Sequence, residues 1–135
     1  FGYNECEWYA ASDVFFLTNP KKGYDLKYIL GLLNSKLYFM WLYSKGKRKG
    51  ETLELTATPL SEIPIKKGGD REMASIVLLV DSIISAKKQK KDTSALENQI
   101  DFLVYHLYGL TYDEVLIVDP ETPISREEYE AYKGE

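Results

Sequence analysis

From Asp25 onward the apolar positions Leu26, Ile29, Leu30, Leu33, Leu37, Met40 and Trp41 recur at steps of three and four, which is one face of an α-helix. Asp25 is a good N-cap, and the spacing predicts a single helix over 25–44. Tyr28, Leu32, Phe39 and Tyr43 add a second apolar stripe, so this helix needs cover on two sides, from a sheet and from another element. Gly46 ends it. Leu53, Leu55 and Ala57 then alternate with Glu54, Thr56 and Thr58 as in a strand, and Pro59 and Pro64 bracket an extended connector.

Before that helix, Trp8-Tyr9-Ala10-Ala11 and Val14-Phe15-Phe16-Leu17-Thr18 are short apolar runs parted by Ser12-Asp13 and closed by a turn at Asn19-Pro20-Lys21-Lys22-Gly23. They predict a hairpin, or the last strands of a truncated sheet. After Asp70 the helical period returns. Met73, Ile76, Val77, Val80, Ile83 and Ile84 share a face that ends in Lys87, Lys88, Lys90 and Lys91, cations that suit a helix C-terminus. Ser94-Ala95-Leu96-Glu97 has capping-box form and opens a second helix through Leu107, stopped by Gly109. The two predict an antiparallel helical hairpin. Thr111 to Glu114 and Ser125 to Glu128 repeat the capping-box pattern for two short helices.

The expected fold class is therefore α/β (α+β): a small, truncated mixed sheet with a packed helix, followed by a C-terminal antiparallel helical hairpin. Residues 1–67 form the first region, 68–118 the hairpin and a short helix, and 119–135 an acidic tail. At 135 residues and 44% apolar content the chain can bury a core. The longest relevant apolar run, Leu37 to Tyr43, is too short to span a membrane. No leader pattern is present, and a start at Phe1 without Met suggests a trimmed chain.

The charge changes the picture more than the composition does. The total of −4 hides a strongly uneven distribution. Residues 20–67 carry ten cations against four acids, a net of +6, whereas residues 97–135 carry two against ten, a net of −8. Binding to a polyanion follows the local field within about one Debye length, ~8–10 Å, so the basic middle third is the candidate contact region. Its centre is the hexapeptide Lys45-Gly46-Lys47-Arg48-Lys49-Gly50, a mobile loop at the end of an aromatic-rich helix. Lys45, Lys47 and Lys49, with Lys21 and Lys22 in the preceding turn, are candidate phosphate contacts. Arg48 is suited to fork onto a guanine edge, and Tyr43 sits beside the loop as a candidate stacking residue.

Catalytic patterns are lacking. Asn19-Pro20-Lys21-Lys22 has neither the second proline nor the aromatic ring by which amino-group DNA methyltransferases hold an extruded base. Glu51, Glu54 and Glu62 are not paired with a second acid or a histidine, and no phosphate loop or metal-ligand spacing occurs. Cys6 and His106 are each the only one of their kind, so no disulfide or zinc set is expected, and a reducing cytoplasmic setting follows.

Three segments together carry a resemblance: Ser12-Asp13-Val14-Phe15-Phe16-Leu17, the helix Tyr24 to Leu37 with its Leu32-Leu33-Asn34-Ser35, and Thr58-Pro59-Leu60-Ser61-Glu62-Ile63-Pro64-Ile65. This combination resembles the TaqI-like C-terminal specificity domain of restriction-modification enzymes, and Leu103 to Thr111 is similar to the close of such chains. The resemblance implies a target recognition domain that holds double-stranded DNA. An N-terminal S-adenosylmethionine-dependent adenine methyltransferase domain, with or without a fused endonuclease, would act on that DNA from outside this chain. The chain itself is then no enzyme and holds no cofactor. The alternative is a protein-interaction module whose helices 70–108 dock on a partner chain or on the catalytic domain.

Overall fold

In the computed structural model, which describes residues 1–7, 9, 14–50 and 52–134 (side chains of 47–49, 52 and 53 excepted), the region expected as one helix is two. α1 spans Leu26–Leu33, and its cap is as expected, with the Asp25 carboxylate accepting from the Lys27 N–H at 2.7 Å. α2 spans Lys36–Lys45. The break falls at Ser35, whose hydroxyl donates to the Leu32 carbonyl at 2.6 Å and accepts from the Tyr38 N–H at 3.4 Å. A short polar side chain offers the backbone this alternative to helix continuation, so Ser35 ends one helix locally and caps the next.

The fold is helical, which corrects the expected α/β architecture. Among the described residues the β structure is one antiparallel ribbon, β1 Lys47–Lys49 and β2 Thr52–Glu54, and no mixed sheet covers a helix. Val14 to Thr18 forms neither helix nor strand ladder, and Val14, Phe15, Phe16 and Leu17 are exposed. The other expected strand residues, Trp8, Ala10 and Ala11, lie outside the described residues, as do Ser12 and Asp13. Helices instead cover Tyr28, Leu32, Leu33 and Tyr38, whereas Phe39, Met40 and Tyr43 of the expected stripes stay exposed.

Downstream of the ribbon, Ala57–Glu62 forms a short helix α3, where an extended connector was expected. Pro59 sits in its first turn, where a missing N–H leaves no intrahelical bond unmade. The chain then runs without helix or strand from Ile63 through Gly68. α4 spans Asp70–Lys88 and α5 spans Ser94–Leu107. Lys87 pairs with Glu97 at the turn end, and Gly68 approaches Leu107 at the other, so the two helices are antiparallel. Thr93, not Ser94, precedes the first turn of α5, and its hydroxyl donates to Glu97 at 2.7 Å. α6 spans Tyr112–Val118 with the expected Thr111/Glu114 capping box, and α7 spans Arg126–Ala131, capped by Ser125.

One core joins α1, α2, α4 and α5. Tyr28, Leu32, Leu33 and Tyr38 meet Ile76, Val80, Ile100, Val104 and Leu107. α1 comes close to α4 at Gly31: a Cβ there would lie 2.7 Å from Ile76 Cγ2 and 3.1 Å from Val80 Cγ2. A second cluster of Tyr105, Val115, Ile124 and Tyr129 holds α6 and α7 on the far side of α5. The Tyr129 hydroxyl donates to the Leu110 carbonyl and the Tyr112 hydroxyl to the Ile124 carbonyl, each at 2.7 Å. His106, expected on a helix face, stacks on Tyr129 with centroids 4.0 Å apart.

Candidate nucleic-acid interface

The site begins where α2 ends. Lys45 occupies the last turn, exposed, where its cation complements the helix dipole. The Gly46 N–H then bonds the Leu42 carbonyl at 2.6 Å while its own backbone is already extended, so the chain leaves the helix directly into β1. Within the hexapeptide, expected as a loop, residues 47–49 form a strand. Lys47, Arg48 and Lys49 form one strand of a ribbon, registered against Glu54, Leu53 and Thr52. Gly50 turns the chain with φ of +66°, a backbone shape that favours glycine. The side chains of Lys47, Arg48 and Lys49 lie outside the described residues, as does Glu51; their backbone positions place three consecutive cationic residues along one strand, with Glu54 opposite Lys47.

Tyr43 lies on α2, two positions before Lys45, and its ring stacks on Phe39 with centroids 6.0 Å apart and planes 24° apart. Phe39 is 60% exposed and Tyr43 40%, so the pair forms an open aromatic face next to the cationic tip. Met40 continues this apolar strip on the same helix.

Lys21 and Lys22 are placed elsewhere. They are exposed in a turn closed by the Tyr24 N–H on the Lys21 carbonyl at 3.1 Å, ahead of α1. Among the described residues no hydrogen bond or ion pair links this turn to the tip of α2. The sequence thus named two cationic groups that the fold keeps on separate elements.

What holds the return path of the chain was not visible in the sequence: three tyrosines clamp the connector after α3. Tyr28 donates to the Lys66 carbonyl at 2.6 Å, Tyr38 donates to the Pro64 carbonyl, and the Tyr108 hydroxyl accepts from the Lys66 N–H at 2.9 Å. The Tyr38 and Tyr108 hydroxyls also share a hydrogen bond. Burial pushes the Tyr28 phenol up to about 12 and raises Tyr38 as well, so these two phenols stay protonated across the physiological range. A tyrosine's spacing tells nothing of its hydroxyl's distant partner, so no sequence signal marked this arrangement.

The N-terminus of α2 is fixed equally firmly. Asp101 of α5, buried, accepts the Lys36 N–H at 2.9 Å, and the Lys36 ammonium pairs with Asp119 at 2.6 Å. Burial pushes the Asp101 carboxyl up to about 6, against the opposing pull of the Lys36 N–H. α2 is thus anchored at its base and presents its other end to solvent. Among the described residues no group of acids, histidine or cysteine is arranged to hold a metal, and no helix is long and apolar enough to cross a membrane.

Residues 1–65, which contain α1, α2, the ribbon, α3 and the start of the clamped connector, match the model of the TaqI-like C-terminal specificity domain. The chain is similar to the Type II methyltransferase M.MjaIV of Methanocaldococcus jannaschii, 30% identical over 104 residues, covering 77% of this chain and 35% of that protein. It is also similar to the Type II methyltransferases M.HincII and M.HindII of Haemophilus influenzae, each 40% identical over 60 residues, covering 44% of this chain and 12% of those proteins. The chain thus spans only a minor part of the relatives it matches. No solved structure gives a significant match. Within these bounds, residues 1–65, just under half of the chain, match the TaqI-like C-terminal specificity domain family, and the chain is similar to Type II methyltransferases.

Proposed function

We propose that this chain recognises a DNA sequence for a restriction-modification enzyme, positioning the duplex for an adenine-specific, S-adenosylmethionine-dependent methyltransferase domain carried elsewhere in the parent protein. The observation that carries the reading is the cationic ribbon of 47–49 set at the free end of an anchored helix. A two-stranded antiparallel ribbon fits the B-DNA major groove, and the reading makes Arg48 the base-edge contact and Lys45, Lys47 and Lys49 phosphate contacts. Tyr43, backed by Phe39, offers a flat ring beside the groove. The alternative use of helices 70–108 as a docking surface finds less support, because their apolar faces are already covered by α1 and α2.

The test is to map N6-methyladenine across a genome or plasmid methylated by the full-length protein, with and without Arg48→Ala. Loss of a base-edge contact relaxes the preferred sequence at one position of the site. A methylated motif identical in both proteins removes Arg48 from the reading. A product with no methyladenine at all overturns the assignment to an adenine methyltransferase.

A further inference from the structure

Lys66 and Lys67 lie on the clamped connector, both exposed. The Lys67 ammonium sits against the turn that carries Lys21 and Lys22, where a Cβ on Gly23 would come within 2.7 Å of it. Gly23 has φ of +90°, so the turn both needs glycine and leaves room there for that cation. Each ammonium of the pair also lies over a ring, Lys67 over Tyr24 at 5.9 Å and Lys66 over Tyr108 at 5.8 Å. Lys67 of the connector is thereby brought to the turn that carries Lys21 and Lys22, with Lys66 next to it in the chain.

Among the described residues none of these four ammonium groups lies within ion-pair distance of a carboxylate, whereas Lys27, Lys36, Lys87 and Arg126 are all paired. Bringing like charges near one another without counter-charge is unfavourable, yet three tyrosine hydroxyls hold the Pro64–Lys66 backbone and a left-handed glycine admits the Lys67 ammonium to the turn. Such concentrated positive charge on stiff backbone is what a line of phosphates requires.

We propose that Lys66 and Lys67, together with Lys21 and Lys22, form a second site for the phosphate backbone of duplex DNA, separate from the ribbon. It rests on the DNA-recognition reading and adds to it an anchor that fixes orientation without reading bases.

The experiment measures binding of the full-length protein to a mixed-sequence duplex of about 30 bp by fluorescence anisotropy, from about 50 to about 200 mM salt. For Lys66→Gln plus Lys67→Gln the slope of log K against log salt falls in magnitude by about 1.8, and Lys66→Arg plus Lys67→Arg restores it. Circular-dichroism melting checks the fold; should the glutamine pair fail to fold, Lys21→Gln plus Lys22→Gln in the exposed turn gives the same reading. A glutamine slope equal to wild type, while ribbon variants reduce theirs, overturns the second site and leaves the ribbon standing. A wild-type protein that shows no salt-dependent binding overturns both.

Discussion

The hydroxyl of Tyr28, buried in the first helix, donates to the carbonyl of Lys66 at 2.6 Å across 38 residues of chain. That single bond ties the helix leading toward the ribbon to the segment returning from it. Tyr28→Phe keeps the ring in the core and leaves a carbonyl without its donor, at a cost of about 1–2 kcal/mol in urea unfolding. Amide hydrogen exchange at Lys66 and Lys67 is expected to accelerate more than exchange within α5. A variant as stable as wild type, with unchanged exchange there, shows that the tyrosine does not hold the connector.

Gly31 sets how closely α1 can approach α4. Alanine raises helix propensity by about 1 kcal/mol at such a position, yet its Cβ would overlap Ile76 Cγ2 in a filled core, costing about 1–3 kcal/mol. The clash is expected to win, giving Gly31→Ala a lower melting temperature, and Gly31→Val a lower one still. A stabilised Gly31→Ala protein shows that the helices separate at no cost.

Buried Asp101 and half-buried His106 are shifted in opposite senses. Burial raises Asp101 to about 6, above its unfolded value, so its contribution to stability is greatest when protonated and is lost as pH rises through about 4 to 6. Burial lowers His106 below its ordinary value, so its contribution is present above about pH 6.5 and is lost as pH falls. His106 faces Phe102, Tyr129 and Tyr132, none of which offers it a countercharge. Asp101→Asn keeps an oxygen for the Lys36 N–H and removes the buried charge. It is expected to gain about 1 kcal/mol at pH 7–8 and to flatten the profile between pH 4 and 6, read by denaturation at several pH values. An unchanged profile shows that Asp101 does not titrate in that range.

Much of the helical framework was legible because burial imposes its own period. The stripe Met73, Ile76, Val80 and Ile83 marks α4, and Thr111 with Glu114 marks the start of α6 in four residues. Architecture was not legible in the same way. A second apolar stripe on α1 and α2 says that cover is needed, but a helix supplies it as well as a sheet does: α4 and α5 cover Tyr28 and Leu32, while Phe39 and Tyr43 stay exposed. Local competition was missed too: Ser35 sits within an unbroken helical period, and only its hydroxyl's bond to Leu32 shows why the helix stops there. At the candidate site the cationic residues could be named from charge alone, whereas the ribbon register and the meeting of Lys67 with the Gly23 turn depend on three-dimensional proximity.

The cationic tip carries the account, and its most direct measurement is the salt dependence of duplex binding by the full-length protein with Lys45, Lys47 and Lys49 all changed to alanine. Loss of three phosphate contacts predicts a slope smaller in magnitude by about 2.7, with affinity near 100 mM salt reduced at least about tenfold and the melting temperature little altered. A triple variant that folds and binds DNA with wild-type slope and affinity contradicts the account.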